Sequence, residues 1–161
     1  MSTLVAKQKH ILFFDPTRCT GCRSCEVACS FKHYSVCDYA KSHIRHFFDL
    51  STGNFEAAYC QHCEDPLCEA ACPAEAIRKD STTGIVKINP LKCIGCQACN
   101  FACPLSVPWF DSERRVSAKC DLCDGDPECV KFCSTRALRY TGRDEARRLM
   151  MDVYNRPVEE R

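Results

Sequence analysis

Two short, mostly apolar runs give the clearest strand signal along the chain, residues 11–14 (ILFF) and residues 85–88 (IVKI). A proline-containing pair ends each run, Asp15-Pro16 after the first and Asn89-Pro90 after the second. Because proline cannot donate to a sheet ladder, both runs are predicted to be short β-strands that stop at these pairs. The candidate partner strands are residues 76–78 and 137–140.

Helical patterning is clearest over residues 24–33, and short helices are expected after the third cysteine of each of four cysteine groups. Near the C-terminus, four apolar residues have the i, i+3, i+4, i+7 spacing of one helix face: Ala146, Leu149, Met150 and Val153. This spacing predicts an amphipathic helix that ends before Pro157. Packing of the helix on its own domain is the favoured expectation, and docking onto a partner subunit is the alternative.

Composition narrows the possible classes of protein. The chain has 161 residues, enough for one domain or two very small ones. Its 22 basic and 21 acidic residues nearly cancel, so charge indicates neither a nucleic acid nor an acidic membrane as partner. The apolar runs are too short to span a bilayer, and residues 1–10 lack the apolar region of a secretory signal. These features predict a cytoplasmic protein, with export in complex with a signal-bearing partner left open.

The 17 cysteines change this picture, because so dense a set indicates a disulfide scaffold or a metal-bound one. A cytoplasmic chain keeps its thiols reduced, which favours metal ligands. Sixteen of the cysteines form four groups: Cys19, Cys22, Cys25 and Cys29; Cys60, Cys63, Cys68 and Cys72; Cys93, Cys96, Cys99 and Cys103; Cys120, Cys123, Cys129 and Cys133. The odd residue, Cys37, is expected to be a free thiol in a loop.

The chain also contains an internal repeat. Residues 11–22 (ILFFDPTRCTGC) resemble residues 85–96 (IVKINPLKCIGC), and the first and third cysteine groups share one spacing at an offset of 74 residues. The second and fourth groups are related by an Asp-Pro pair just before the third cysteine of each. Repeats of this kind predict repeated structural units.

The C-x2-C-x2-C-x3-C spacing of the first and third groups is that of bacterial [4Fe–4S] ferredoxins, in which the fourth cysteine binds a second cluster. Zinc is the alternative, since C-x2-C pairs also form tetrahedral zinc sites. Zinc sites use two pairs of ligands, however, whereas each group here supplies three closely spaced cysteines and one more. The spacing therefore favours cubane clusters, which would substitute for a thin apolar core and leave the metal-free chain largely unfolded.

The chain resembles the four-cluster ferredoxins, which are the iron–sulfur subunits of molybdenum- and tungsten-pterin enzymes such as dimethyl sulfoxide reductase, formate dehydrogenase and aldehyde oxidoreductase. The resemblance covers residues 11–140. It rests on FDPTRCTGCRSCEVAC, CQHCEDPLCEAACPAEAI, INPLKCIGCQACNFACPLSVPWFD and KCDLC. Ser30 and Ser134 depart from the family pattern, which often has proline after the fourth cysteine.

The resemblance implies four [4Fe–4S] clusters with crossed ligation, at sites designated A to D. The implied ligands are Cys19, Cys22, Cys25 and Cys133 at site A; Cys120, Cys123, Cys129 and Cys29 at site B; Cys60, Cys63, Cys68 and Cys103 at site C; Cys93, Cys96, Cys99 and Cys72 at site D. The implied fold is α+β, with two ferredoxin-like modules, one inserted in the other. Residues 1–52 and 110–142 would form the outer module, residues 53–109 the inner module, and residues 143–161 a C-terminal helix or tail.

The sequence contains no Gly-rich phosphate loop, no nucleophile motif and no open metal position with a nearby base, so a non-catalytic electron relay is expected. The resemblance implies a tungsten- or molybdenum-pterin catalytic subunit at one end, with aldehyde oxidoreductase as the preferred example. A flavin subunit that handles NAD, or a soluble carrier, would face the other end, and head-to-tail self-assembly is a further expectation. The alternatives are a relay for a hydrogenase or a carbon monoxide dehydrogenase, and a redox-sensing or structural iron–sulfur protein.

Several other residues could bear on the clusters. His62 lies inside the second group but is expected not to be a ligand, since four cysteines are already present. Trp109 and Phe110 are expected to shield a cluster from water. Four further histidines have no metal-site spacing and are expected at the solvated surface: His10, His33, His43 and His46.

Overall fold

The computed structural model describes residues 10–155, which form a small α+β fold of short elements. The strands are β1 (His10–Phe14), β2 (Arg45–Asp49), β3 (Asn54–Ala58), β4 (Ile77–Lys79), β5 (Val86–Ile88), β6 (Trp109–Asp111), β7 (Val116–Ala118) and β8 (Leu138–Gly142). The α-helices are α1 (Ser24–Tyr34), α2 (Leu67–Ala70), α3 (Ala98–Ala102), α4 (Glu128–Lys131) and α5 (Arg143–Tyr154). Short 3₁₀ turns cover Pro16–Arg18, Tyr39–Lys41 and Leu122–Gly125.

Strand β1 pairs antiparallel with β8, so the beginning of the described chain and the strand that precedes α5 form one two-stranded ladder. The ladder ends where Asp15 donates its backbone N–H to the carbonyl of Ala137 at 2.8 Å. The Asp15 carboxylate then accepts the N–H of Thr17 at 3.1 Å and caps the following 3₁₀ turn. The predicted strand and its predicted stop at the Asp-Pro pair are therefore both observed.

Both faces of β1 are buried, and they belong to two different apolar clusters. Leu12 and Phe14 face a core that also contains cysteines of the first and fourth groups. Ile11 and Phe13 face α5, on which Ala146 and Val153 are fully or almost fully buried. The amphipathic face of α5 is thus packed on its own domain, and residues 156–161, including Pro157, lie outside the described residues.

Strand β5 pairs antiparallel with β4 in an arrangement that repeats the β1–β8 ladder. Asn89 donates its N–H to the carbonyl of Ala76 at 2.7 Å, as Asp15 does at the end of β1. Ile77 and Val86 are buried against Cys99, with Cys68 and Cys72 packed around them. The internal repeat in sequence is therefore also a repeat in structure.

Two further hairpins, β2–β3 and β6–β7, have no counterpart in the sequence-based expectations. Each lies over one cysteine loop. The ring of Phe55 in β3 occupies the space where a side chain on Gly21 would project, and the carbonyl of Arg115 and the ring of Phe110 do the same at Gly95. The hairpins therefore act as covers that hold the loops of the first and third groups.

The helices of residues 10–155 are all too short or too polar to cross a lipid bilayer.

Candidate iron–sulfur sites

The structure brings the first three cysteines of group one together with the last cysteine of group four. Cys19, Cys22, Cys25 and Cys133 line one cavity, which is walled by Phe14 and other apolar side chains. Burial raises the pKa of the Cys25 thiol to about 12, with further contributions from the nearby charges of Glu26 and Cys133. Cys133 therefore lies with group one rather than with the rest of its own group.

Helix α1 explains how group one divides. Cys25 and Cys29 are one helical turn apart on α1. Cys29 lies near the first three cysteines of group four, Cys120, Cys123 and Cys129. Burial raises the pKa of Cys129, and the nearby Cys120, Cys29 and Cys123 raise it further. The two helices that carry these residues, α1 and α4, pack against each other.

The inner two groups exchange their fourth cysteines in the same way. One cavity is lined by four sulfurs from groups two and three: Cys60, Cys63, Cys68 and Cys103. A second cavity is lined by the remaining four: Cys72, Cys93, Cys96 and Cys99. Burial raises the pKa of Cys68 to about 11, and the nearby Cys60 and Cys103 raise it in the same direction, whereas Lys119 lowers it.

Backbone amides point at the cysteine sulfurs in a pattern that repeats from group to group. The residue two positions after the first cysteine donates its N–H to that cysteine's sulfur in three groups: Gly21 to Cys19 at 3.4 Å, His62 to Cys60 at 3.4 Å and Leu122 to Cys120 at 3.5 Å. Amides elsewhere donate to three of the fourth cysteines: Ala76 to Cys72 at 3.3 Å, Leu138 to Cys133 at 3.3 Å and His43 to Cys29 at 3.2 Å. Such donors favour the thiolate form and raise the reduction potential of a bound cluster.

The same loop position has a left-handed backbone in all four groups. The φ angles are +68° at Gly21, +45° at His62, +70° at Gly95 and +58° at Leu122. An L-residue in this conformation is strained by ~1–2 kcal/mol, so His62 and Leu122 are held there by their surroundings. The strain is consistent with loops shaped to direct amides at a common centre.

The donor set and the surroundings fit an iron–sulfur cluster. Each of the four places gathers four cysteine thiols, of which most are partly or fully buried among apolar side chains. Thiolates are the ligands that cubane clusters use, and amide donors are their usual neighbours. When bound, such clusters supply one-electron transfer, while the chain provides the sulfur ligands, excludes water and donates hydrogen bonds.

The expectation that the histidines are solvated surface groups is wrong for three of the four. His43 is buried, the side chain of His46 is only 4% exposed, and that of His33 is 17% exposed. The His46 ring lies 3.7 Å from the sulfur of Cys25, and Nε2 of His33 lies 3.8 Å from the sulfur of Cys123. The cause is tertiary: His43 and His46 lie in the segment after α1, which folds back over Cys29 and Cys25, and His33 at the end of α1 meets Cys123 from a distant segment. Spacing along the sequence does not reveal these contacts.

His33 and His43 form a stacked pair beside site B, with ring centroids 4.2 Å apart. Together with Cys29 they bring three potential ligand atoms within 4.8 Å of one another, and His33 does the same with Asp121 and Cys123. Burial lowers the pKa of His43 to about 3, with the charges of His33 and Lys119 acting in the same direction, so this ring is neutral near pH 7.

His62 is also buried, and its ring accepts a hydrogen bond from the backbone. Its Nδ1 accepts the N–H of Val86 at 3.0 Å, and its carbonyl accepts a hydrogen bond from Arg143 of α5 at 2.7 Å. Burial lowers the pKa of His62 to about 3, and the charges of Lys119 and Arg143 lower it further. These contacts give the ring a structural role next to Cys60.

Trp109 and Phe110 lie in different surroundings. The Trp109 ring packs 6.3 Å from the rings of Tyr34 and His43, on the side of site B, whereas Phe110 lies over Gly95 in the loop of group three.

Cys37 is exposed and lines an open groove beside Cys22.

Lys119 is the functional candidate that sequence reasoning missed. Its side chain is buried, and its amine lies 3.3 Å from the sulfur of Cys60 and donates to the carbonyl of Cys120 at 3.1 Å. The signal for it in the sequence is its place in KCDLC, directly before the first cysteine of group four. Arg18 and Lys92 precede the first cysteines of groups one and three in the same way but are exposed, so this place alone does not predict burial.

Grouped cysteine sulfurs with amide donors, in a small α+β fold, define an iron–sulfur electron-transfer protein of the kind that serves oxidoreductases. The chain belongs to the 4Fe–4S dicluster domain family, whose model matches residues 51–143. That match includes the second, third and fourth cysteine groups.

Among its relatives, the polyferredoxin-like subunit of the aliphatic sulfonate oxidoreductase of Pyrococcus furiosus is 41% identical over 133 residues, covering 83% of this chain and 76% of that subunit. The B subunit of the anaerobic dimethyl sulfoxide reductase of Haemophilus influenzae is 34% identical over 162 aligned residues, covering 87% of this chain and 77% of the relative. The beta subunit of the NADH-dependent phenylglyoxylate dehydrogenase of Aromatoleum evansii is 37% identical over 129 residues, and the match covers 79% of this chain but 29% of that subunit.

Among solved structures, the active-site complex BamBC of benzoyl coenzyme A reductase with zinc is similar with a TM-score of 0.48 and 26% identity, covering 91% of this chain and 90% of that one.

Proposed function

We propose that this chain binds four [4Fe–4S] clusters at sites A to D and relays single electrons along them. The observation that carries the proposal is the gathering of sulfurs described above, in which the fourth cysteine of each group lies with the first three of another. Cavities with four sulfurs in their walls support sites A, C and D. The mutual influence of Cys29, Cys120, Cys123 and Cys129 on their pKa values supports site B.

We further propose that groups one and four form an outer module and groups two and three an inner module inserted in it. Support comes from the two ladders: β1 pairs with β8 across the insertion, and β4 pairs with β5 within it. In this arrangement residues 1–52 and 110–142 belong to the outer module and residues 53–109 to the inner one, with residues 143–161 as a C-terminal helix and tail.

The order of the relay follows from shared elements. Helix α1 carries one ligand of site A and one of site B, Cys25 and Cys29. Cys120 of site B is close enough to Cys60 of site C for the two to affect each other's charge. Sites C and D are joined by α2, which contains Cys68 and is followed by Cys72. The order A–B–C–D leaves A and D as the terminal sites.

Both proposed terminal sites have exposed cysteines and exposed apolar neighbours suited to partner subunits. Cys22 of site A is exposed, next to Phe31 and Phe132, which are 60% and 59% exposed. Cys96 of site D is exposed, and the nearby Ile94 is 68% exposed. Exposed apolar side chains around a redox centre suit protein contacts.

The partner we propose at one end is a tungsten- or molybdenum-pterin catalytic subunit, with an aldehyde oxidoreductase as the preferred example, in a cytoplasmic complex. A flavin subunit that handles NAD, or a soluble carrier, would exchange electrons at the other end, and we also propose head-to-tail self-assembly of copies of this chain. Subunits of a dimethyl sulfoxide reductase and of an NADH-dependent dehydrogenase are among the relatives, which supports a relay role in such complexes. The chain itself is not the catalyst.

The test is to purify the native complex without oxygen and to measure iron, sulfide, tungsten, molybdenum, nickel, zinc and flavin per mole of this chain. About sixteen irons and sixteen sulfides contributed by this chain, with tungsten or molybdenum alongside, is the expected result. Nickel in place of tungsten or molybdenum would assign the chain to a hydrogenase or carbon monoxide dehydrogenase. Zinc with little iron would overturn the iron–sulfur assignment.

A further inference from the structure

Lys119 is a buried cation between the two proposed modules. Its relative exposure is 5%, although lysine is rarely buried without a partner. Its amine donates to the carbonyl oxygens of Val86 and Cys120, the latter at 3.1 Å, and lies 3.3 Å from the sulfur of Cys60. These contacts belong to both modules, since Val86 and Cys60 lie in the inner one and Cys120 in the outer one.

No carboxylate within residues 10–155 forms an ion pair with Lys119. A buried ammonium group without an opposite charge is strongly disfavoured, so a nearby negative charge stabilises it. The neighbouring group that can supply it is the sulfur of Cys60, together with whatever that sulfur binds. The contact therefore places the amine of Lys119 where it can stabilise negative charge on the sulfur of Cys60 and on a cluster bound to it.

The positive charge of Lys119 affects groups on both sides of the module boundary. It lowers the pKa of the Cys68 and Cys120 thiols against the larger effect of burial. It also contributes to the low pKa of His62 on one side and of His43 on the other. Its field thus reaches ligands of site C and of site B.

We infer that Lys119 raises the reduction potential of the cluster at site C, and to a smaller extent that of the cluster at site B. The inference rests on the four-cluster function proposed above. Reduction adds one negative charge to a cluster, and a fixed cation in contact with a ligand sulfur stabilises that added charge more than the oxidised form. Lys119 acts through the sulfur of Cys60 and is therefore a positioning residue.

The residue before the first cysteine of group three provides a matched control. Lys92 directly precedes the first cysteine of group three, as Lys119 precedes the first cysteine of group four, but Lys92 is exposed. Its charge is screened by water and salt, so it contributes little to the potential of the adjacent site. Lys92→Met removes the same charge from an exposed position next to a first cysteine, without creating a buried gap.

The experiment compares four forms of the anaerobically purified full chain: the natural protein, Lys119→Met, Lys119→Gln and Lys92→Met. Iron and sulfide are counted first, and the clusters are then titrated with reductant while each is followed by electron paramagnetic resonance. In Lys119→Met we expect one cluster to become at least tenfold harder to reduce at a fixed potential, which is a shift of about 59 mV to more negative values for one electron. Lys119→Gln keeps a donor near Cys60 but loses the charge, so its shift should have the same sign, and Lys92→Met should leave every potential unchanged.

Unchanged potentials in a Lys119 variant that retains its clusters would overturn the inference. The same conclusion follows if both Lys119 variants lose the four irons of one cluster, because Lys119 would then be needed for assembly rather than for the potential. A natural protein with far fewer than about sixteen irons would instead contradict the proposed function, which the iron count detects before any titration.

Discussion

Gly95 allows a sharp test of the packing between a cysteine loop and the hairpin that covers it. Its φ is +70°, and a Cβ added there would lie 2.7 Å from the carbonyl oxygen of Arg115 and 3.0 Å from the ring of Phe110. Gly53 has the same φ of +70° but has open space around its position. The loss of stability in Gly53→Ala therefore reports the backbone strain alone, and the loss in Gly95→Ala reports the strain plus the steric clash.

The size of the difference follows from these contacts. An Ala in the left-handed conformation is strained by ~1–2 kcal/mol at either position. The clash at Gly95 involves a backbone carbonyl of the β6–β7 turn, which cannot move without displacing the hairpin, and overpacking of this kind costs about 1–3 kcal/mol more. An excess of about 2 kcal/mol corresponds to a roughly 30-fold faster loss of structure if the clash is relieved in the transition state.

The assay is the rate at which visible cluster absorbance disappears in denaturant without oxygen. Gly95→Ala should lose its absorbance about 30-fold faster than Gly53→Ala. Gly21→Ala should lie between them, because the group it meets, Phe55, is a side chain that can rotate away. Equal rates for Gly95→Ala and Gly53→Ala would refute the argument that the hairpin and the loop are in close contact.

Three other outcomes follow from the structure. Deletion of residues 143–161 should lower the thermal midpoint of the isolated chain, because it exposes Ile11 and Phe13. A lowered midpoint with unchanged complex formation would show that α5 stabilises its own domain, whereas an unchanged midpoint would contradict this packing. Cys37→Ser should leave the iron content unchanged, because Cys37 is exposed in a loop; a loss of iron would make it a ligand. Burial raises the pKa of thiols such as Cys68 from 9.0 to about 11, so the residual structure of the largely unfolded iron-free chain is most stable below pH 9. Its circular dichroism signal should decrease as the pH rises from 9 toward 11, and an unchanged signal across this range would contradict the burial.

Much of the scaffold could be predicted because its signals are local. The strand β1 and its end at Asp15 follow from four apolar residues and an Asp-Pro pair. The helix predicted over residues 24–33 is observed as Ser24–Tyr34. The short helices of the other groups contain the third cysteine rather than follow it, because they begin just after the Asp-Pro pairs or the preceding cysteine.

What the sequence could not predict depends on contacts between distant segments. His46 meets Cys25, and Lys119 meets Cys60, across separations of 21 and 59 residues. A glycine in the sequence marks the left-handed loop position at Gly95, but nothing in the sequence marks it at Leu122, where packing holds an ordinary residue in a strained conformation. The covering hairpins were missed because β2, with the sequence RHFFD, has no clean alternation of apolar and polar residues.

A crystal structure of the anaerobically purified chain, with anomalous data at the iron edge, tests the crossed ligation of four clusters. We expect four separate cubane peaks, with Cys133 bound to the same cluster as Cys19, and Cys29 bound to the same cluster as Cys120. Fewer than four iron peaks, or Cys29 bound to the same cluster as Cys19, would contradict it.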